Sequence, residues 1–325
     1  MREALVNFAL IALLPLVALG AQAAGETYVV TLAAKAAILA LAGVGLNLAL
    51  GVGGMVSLGH AAFFGIGGYA AGIAAHHVFA GTPVIGWPVT LEATDQMPLI
   101  WLAGVLAAGL AAAAIGAVSL RTQGVHFIMI TLAFAQMVYY LGVSWKTYGG
   151  EDGLPIYLRN QFPGLDTGDG MQFFALAYAC LLAGVALVWQ VARSRFGQAL
   201  AMARMNEARL AASGISPYPV RLVGFVLSGM VVALAGALFA DLNGFAGPSM
   251  LSWHRSGEIM VLVILGGVGR LCGPLAGAML FVALETLLGG LTDRWQLFLG
   301  LVLLGVVLFA RGGLMGMLAG RARHG

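Results

Sequence analysis

The sequence predicts an all-α, polytopic integral membrane protein with about eight to ten transmembrane helices, and three observations carry that prediction. Apolar runs of about 20 residues, the length a helix needs to cross a ~30 Å hydrocarbon layer, recur along the 325-residue chain with only short polar breaks. Hydrophobic residues make up 61% and charged residues 9%, at a mean hydropathy of +0.95, a balance that a water-exposed globular surface does not tolerate. The arginines gather in alternate breaks, as the positive-inside rule requires. Residues 1–325 read as a single transmembrane domain, with no room for a soluble one.

Ten spans follow in order, near 4–24, 28–50, 56–79, 98–120, 124–143, 171–192, 220–242, 257–268, 274–291 and 295–311. The first, FALIALLPLVALGAQAAG, has the shape of a secretory signal peptide with Ala-Gln-Ala at its end. We read it as a retained helix, because cleavage would reverse the topology counted below. The second run starts at Tyr28. The stretch Leu50–Gly72, which leads into the third span, holds eight glycines: Gly51, Gly53 and Gly54 belong to the turn between the two spans. Ser57, Ala61, Gly65, Gly68 and Gly72 recur at helical spacing and form a ridge of small residues, a packing seam for a neighbouring helix. The 257–268 run is short. It either extends back through Trp253 and crosses obliquely or is re-entrant, since glycines and Pro274 break the pattern nearby.

With the N-terminus inside, Arg2, Arg121, Arg193, Arg195, Arg204, Arg209, Arg221, Arg270, Arg311, Arg321 and Arg323 fall on the cytoplasmic side. Lys35, Lys146, Arg159, Arg255 and Arg294 fall outside. The bias predicts both termini cytoplasmic. Glu26, Glu92, Asp95, Glu151, Asp152, Asp166 and Asp169 then lie mostly outside and weigh little in the rule. The net charge of +3 and pI near 9.0 therefore express topology and imply no nucleic-acid partner. Cys180 and Cys272 lie in apolar runs without CxxC or Cys/His spacing, so they read as small core residues and indicate neither a disulfide nor a metal site.

No GxxxxGK[ST] occurs, and the only lysines, Lys35 and Lys146, follow Ala34 and Trp145, so the chain has no P-loop for ATP. HExxH is absent, and Met55-Val56-Ser57-Leu58-Gly59 lacks the first glycine of GxSxG. A membrane-embedded enzyme centred on His60 and His126 has no nucleophile–base pair or metal spacing behind it. An ion-coupled carrier needs mid-membrane carboxylates, and these are scarce. His60, His126 and Glu285 are expected well inside spans, the histidines as imidazoles hydrogen-bonded between helices and Glu285 half-solvated. Lys35, Asp241 and Glu258 are expected near span ends, where they snorkel or face the surface.

The largest cytoplasmic excursion is RSRFGQALAMARMNEARLAASGISPYP, about 193–219. Phe196, Leu200, Ala203 and Leu210 share one helical face, while Arg204, Glu207 and Arg209 carry charge elsewhere. Gly214 reads as a stop, and Pro217 and Pro219 as the end of the helical pattern. Such a loop is either a helical hairpin lying on the membrane or a docking helix through which a partner delivers mechanical work.

LNLALGVGGMVSLGHAAFFGIGGYAAG resembles the signature segment of LivM-type permeases of branched-chain amino-acid ABC importers. HFIMITLAFAQMVYYL followed by YGGEDGL resembles the family's central span and outer turn, SRFGQALAMARMNEARLAASGIS its ATPase-coupling loop, and GGVGRLCGPLAGAMLFVALE its late Gly-Pro segment. The matches keep the family's order from about residue 28 to 311. One departure is Arg270, where many members carry a threonine or another small residue.

The resemblance implies a multi-pass subunit of the bacterial inner membrane that pairs with a related permease and receives substrate from an extracytoplasmic binding protein. Two cytoplasmic ATPase subunits drive it and bind the ATP and Mg, so the chain itself is no enzyme and holds no cofactor or metal. The mechanism implied is alternating access for leucine, isoleucine or valine. Urea, short amides or aromatic acids are the alternative cargoes. Arg195, Gly197, Glu207 and Gly214 are the coupling candidates, because the loop needs charge to dock and glycine to bend. Ser57, His60, Phe63 and Phe64 are the pathway candidates, and Ala61, Gly65, Gly68 and Gly72 the seam.

Overall fold

The computed structural model describes residues 2–83, 93–290, 295–309 and 312–319. Its helices are α1 (Arg2–Ala23), α2 (Thr27–Asn47), α3 (His60–Ala80), α4 (Met97–Ser119), α5 (Val125–Ser144), α6 (Gly170–Arg193), α7 (Arg195–Met205), α8 (Glu207–Ala212), α9 (Pro217–Asn243), α10 (Trp253–Gly266), α11 (Gly273–Gly289), α12 (Trp295–Phe309) and α13 (Gly313–Ala319). Strands β1 (Leu154–Pro155) and β2 (Phe245–Ala246) pair antiparallel, with Leu154 opposite Ala246. Among the described residues, six segments are long and apolar enough to cross a membrane: Leu5–Ala23, Thr27–Val52, Met97–Ser119, Val125–Ser144, Gly170–Arg193 and Pro217–Asn243. The remaining predicted spans are α3, whose glycines and histidines dilute its hydropathy, and the shorter α10, α11 and α12.

At the centre stands α2, 78% of whose most apolar stretch is buried. Alanine and glycine on all its faces make this possible, because small residues let helix backbones approach where lipid provides no hydrophobic drive. A Cβ on Gly43 would stand 2.8 Å from Pro274 of α11, and one on Gly45 2.8 Å from Val232 of α9. By contrast, only 11% of the α1 stretch and 22% of α5 are buried, so these two carry outward faces.

Two of the described crossings are broken. A π turn over Leu48–Val52 continues α2, and non-helical backbone then leads to His60, so the predicted 56–79 span begins as a helix only there. Residues 247–252 between β2 and α10 run as a short 3-10 turn and irregular backbone, and α10 is only 14 residues long, or about 21 Å. The 257–268 run thus extends back to Trp253, and irregular chain completes the crossing. Ala246, Pro248, Met250 and Leu251 of that chain are buried, which is the condition under which non-helical backbone is tolerated at membrane depth.

Other expectations are corrected by tertiary packing. Pro217 and Pro219 do not close a helix: Pro217 opens α9, where its missing N–H costs nothing. His126 is the second residue of α5 and is exposed, so it is not well inside a span. Asp241 is 1% exposed and accepts from Asn160 Nδ2 at 2.7 Å. Lys35 and Glu285 meet at 2.8 Å, partly buried, so neither snorkels alone. The charge placements of Glu92, Arg294, Arg311, Arg321 and Arg323 lie outside the described residues.

Candidate functional site

The 193–219 segment folds as α7 and α8. Ser194 caps α7 by accepting from Gly197 N at 3.2 Å, and Asn206 caps α8 by accepting from Arg209 N at 3.0 Å. Leu200, Ala203 and Leu210 are buried against the end of the bundle, which seals the apolar face read from the sequence. We call this end the hairpin side; α13 lies beside its turn at Gly267 and α1 packs on α13.

Three further links hold the hairpin down. Arg204 donates to the Gly51 carbonyl at the end of α2, where a helix leaves its last carbonyls unpaired. Glu207 pairs with Arg221 of α9 and accepts from Gln123 Nε2 at 2.7 Å. Periodicity assigns Arg204 to a free charged face and gives Gln123 and Arg221 no role as tethers, since nothing in a local pattern announces contacts across the bundle end. Of the four coupling candidates, Arg195 is exposed and has no ion-pair partner among the described residues, whereas Glu207 is engaged within the chain. Gly197 is buried, and a Cβ there would overlap the carbonyls of Val191 and Ala192. It permits close approach of α7 to α6 and does not bend the chain. Gly214 turns the chain at φ +83°.

Ser57, His60, Phe63 and Phe64 are all fully buried. Ser228 Oγ donates to the Gly45 carbonyl at 2.6 Å and lies 2.8 Å from His60 Nε2. A hydroxyl has one proton, so Nε2 carries the hydrogen and donates to Ser228. The His60 ring, Phe63 and Phe225 make mutual edge-to-face contacts with centroids 5.3–5.6 Å apart, and Phe64 packs on Phe239 at 5.4 Å. Ser57 Oγ accepts from Gly59 N at 3.1 Å. His60, Phe63 and Phe64 form packed core between α3 and α9, Ser57 is buried in the turn before α3, and none of the four borders the cavity described below.

The ridge on α3 receives the broken crossing and not a second continuous helix. Ala61 N donates to Ser256 Oγ of α10 at 2.7 Å. A Cβ on Gly65 would collide with Leu251, one on Gly68 with Met250, and one on Gly72 would stand 2.7 Å from Ala246. Gly67 serves another face, where a Cβ would overlap the Ala233 carbonyl of α9.

On the other flank of the same crossing lies a cavity of about 490 Å³, open between α5 and residues 245–258. Arg255 and Glu258 form an ion pair at 2.6 Å on its wall, and the Arg255 guanidinium sits 4.9 Å from the Phe239 ring. Glu258, expected near a span end, instead lies in the second turn of α10, which begins inside the bundle beside the first turn of α3.

Residues 28–310 match the family described as branched-chain amino acid transport system / permease component. The chain is 26% identical over 312 residues to the high-affinity branched-chain amino acid transport system permease protein LivM of Salmonella typhimurium, covering 89% of this chain and 70% of that protein. It is 27% identical to LivM of Escherichia coli with the same coverage. It is also 31% identical over 198 residues to the autoinducer 2 import system permease protein LsrC of Klebsiella pneumoniae, covering 58% of this chain and 56% of the other. No solved structure matches the chain. The family match runs from α2 into α12 and takes in both broken crossings, the α7–α8 hairpin and the cavity, so this multi-pass membrane chain belongs to the branched-chain amino acid transport system permease component family.

Proposed function

We propose that the chain is the membrane-spanning subunit of an ATP-driven, binding-protein-dependent importer of branched-chain amino acids in a bacterial inner membrane, with the hairpin side cytoplasmic. The observation that carries this reading is the α7–α8 hairpin. Its apolar face is sealed on the bundle, its outer face presents Arg195 and Arg209, and Arg204 ties it to Gly51. A chain without a P-loop must receive the work of ATP hydrolysis from outside, and a tethered hairpin transmits a push that a free loop dissipates. Two ATPase subunits supply that push and bind ATP and Mg. A related permease completes the membrane unit, and a binding protein delivers substrate on the opposite side.

In this reading Arg195 docks, Glu207 and Gly197 hold the hairpin rigid, and Gly214 turns the chain into α9. Ser57, His60, Phe63 and Phe64 act on the pathway through the α3–α9 packing that must shift between states. Each state is then stabilised differentially by ATP and by the loaded binding protein.

The test is co-purification with the two ATPases and ATP-driven leucine uptake in proteoliposomes. Arg195→Glu should weaken assembly, and Gly197→Pro and Glu207→Lys should abolish uptake by breaking the hairpin. Undiminished assembly and uptake in all three variants would overturn the coupling role. The likeness to LsrC favours testing other cargoes, so the uptake panel includes urea, short amides and aromatic acids. Uptake driven by an ion gradient without ATP would instead mark a self-sufficient carrier.

A further inference from the structure

The cavity beside the broken crossing has a chemistry that packing does not require. Tyr139 on its wall lies about 8 Å short of the end of α5 at Ser144, at 1.5 Å per residue. Glu258 lies deeper, two residues past the serine that reaches the first turn of α3. The Arg255–Glu258 pair therefore stands within the span. Its side chains keep 19% and 36% exposure, and charge on a partly open face at that depth is costly unless it meets water, a partner or a ligand. The Arg255 Nε is enclosed and makes no hydrogen bond among the described residues, so a ligand in the cavity has to engage the guanidinium through its Nη end, which now meets Glu258.

The remaining wall is mixed, with hydroxyls on Ser249 and Ser252, apolar surface on Phe245 and Pro248, and the exposed side chains of His254 and of Glu151 in the turn after α5. A volume of about 490 Å³ lies within the range of small-molecule sites. We propose that this cavity is a transient station for a small zwitterionic amino acid. Its carboxylate is read by Arg255, its ammonium by Glu258, and its side chain by Phe245 and Pro248. The proposal rests on the importer reading above and adds the residues that recognise the cargo within the membrane.

Glu151 is exposed to solvent, so the charge balance of the part-buried Arg255–Glu258 pair selects the ligand class. A zwitterion entering the pair exchanges one ion pair for two and adds no net charge. An anion alone would leave Glu258 unpaired, and a cation alone would leave Arg255 unpaired, each at the cost of an uncompensated charge. The existing pair at 2.6 Å must open to admit the cargo, so binding is weak, as a site of passage requires.

The experiment is leucine uptake by the complete importer in proteoliposomes, with saturating loaded binding protein. Arg255→Gln and Glu258→Gln should each slow uptake roughly ten- to a hundred-fold, the loss expected for a hydrogen bond to a charged group. The exchanged pair Arg255→Glu with Glu258→Arg should not restore the wild-type rate, because the ends that receive carboxylate and ammonium are reversed. A merely structural ion pair predicts that it does. Independently of folding in those variants, Ser249→Cys, made together with Cys180→Ala and Cys272→Ala, should react with a membrane-impermeant thiol reagent, and loaded binding protein should slow the reaction. A wild-type complex that imports no zwitterion overturns both readings. Leucine import with Arg255→Gln at the wild-type rate, or an unreactive thiol in the Ser249→Cys variant, overturns this one alone.

Discussion

Gly67 and Gly236 set how closely α3 and α9 can approach, because each stands where the other helix brings its backbone. A methyl group on Gly67 would overlap the Ala233 carbonyl, and one on Gly236 the Phe64 carbonyl. Neither obstacle is the flexible end of a side chain, so the helices must separate. Gly67→Ala and Gly236→Ala should each destabilise the protein by about 1–3 kcal/mol, the usual cost of overpacking. The double variant should lose less than the sum, since the first separation makes room for the second methyl. Gly20→Ala in α1, with nothing within 4 Å, should be neutral or slightly stabilising. Thermal unfolding of the purified protein in detergent checks all four. Strict additivity of the two costs would show that they do not share one contact. The ridge at Ala61, Gly65, Gly68 and Gly72 is legible because its spacing follows one helix face. Gly67 is not, because it lies about 100° around the helix from Gly68, and a single sequence does not say how many faces of α3 meet another backbone.

Between elements, the broken crossing is held to α3 by a cap supplied from another helix. The first N–H groups of a helix have no partner within it, and Gly59 before α3 provides no side-chain cap. Ser256 of α10 fills that role by accepting from Ala61 N at 2.7 Å, fully buried. Ser256→Ala should cost about 1–2 kcal/mol and raise amide exchange selectively in the first turn of α3. Unchanged exchange there would remove the capping role. Nothing in the sequence links residues 61 and 256, and this marks where reading by element stops. Spans 98–120, 124–143 and 171–192 are legible as α4, α5 and α6 because run length alone defines a crossing. The stretch Phe245–Ser252 is not, because its glycine and proline carry the signals of a surface turn, and only its burial against Gly65, Gly68 and Gly72 makes it part of the membrane interior. Likewise Pro217 punctuates equally well as a stop or as the first residue of a helix. The hairpin's apolar face at Leu200, Ala203 and Leu210 is readable from periodicity, but its tethers through Arg204 and Glu207 depend on where α2 and α9 end.

At the scale of the whole molecule, most of the described arginines gather at one end. Arg121, Arg193, Arg195, Arg204, Arg209, Arg221 and Arg270 all lie at or beside the hairpin side. Lys146 and Arg159 lie toward the other end, while Lys35 and Arg255 are held in ion pairs with Glu285 and Glu258 inside the bundle, as Arg221 is with Glu207 at the hairpin side. Pairing of Lys35 with a residue 250 positions away is invisible to the sequence. Basic residues resist translocation across a membrane held negative inside, which is the ground on which we propose that the hairpin side stays in the cytoplasm. Exposed residues of each face offer a direct check. In intact cells, the thiol introduced by Ser213→Cys, in the turn after α8, should be closed to a membrane-impermeant thiol reagent and should react only once the membrane is opened. The thiol introduced by Asp152→Cys, in the turn that follows α5, should react in intact cells. The reverse pattern would place the hairpin where no cytoplasmic ATPase can reach it, and the importer reading would fall together with the orientation.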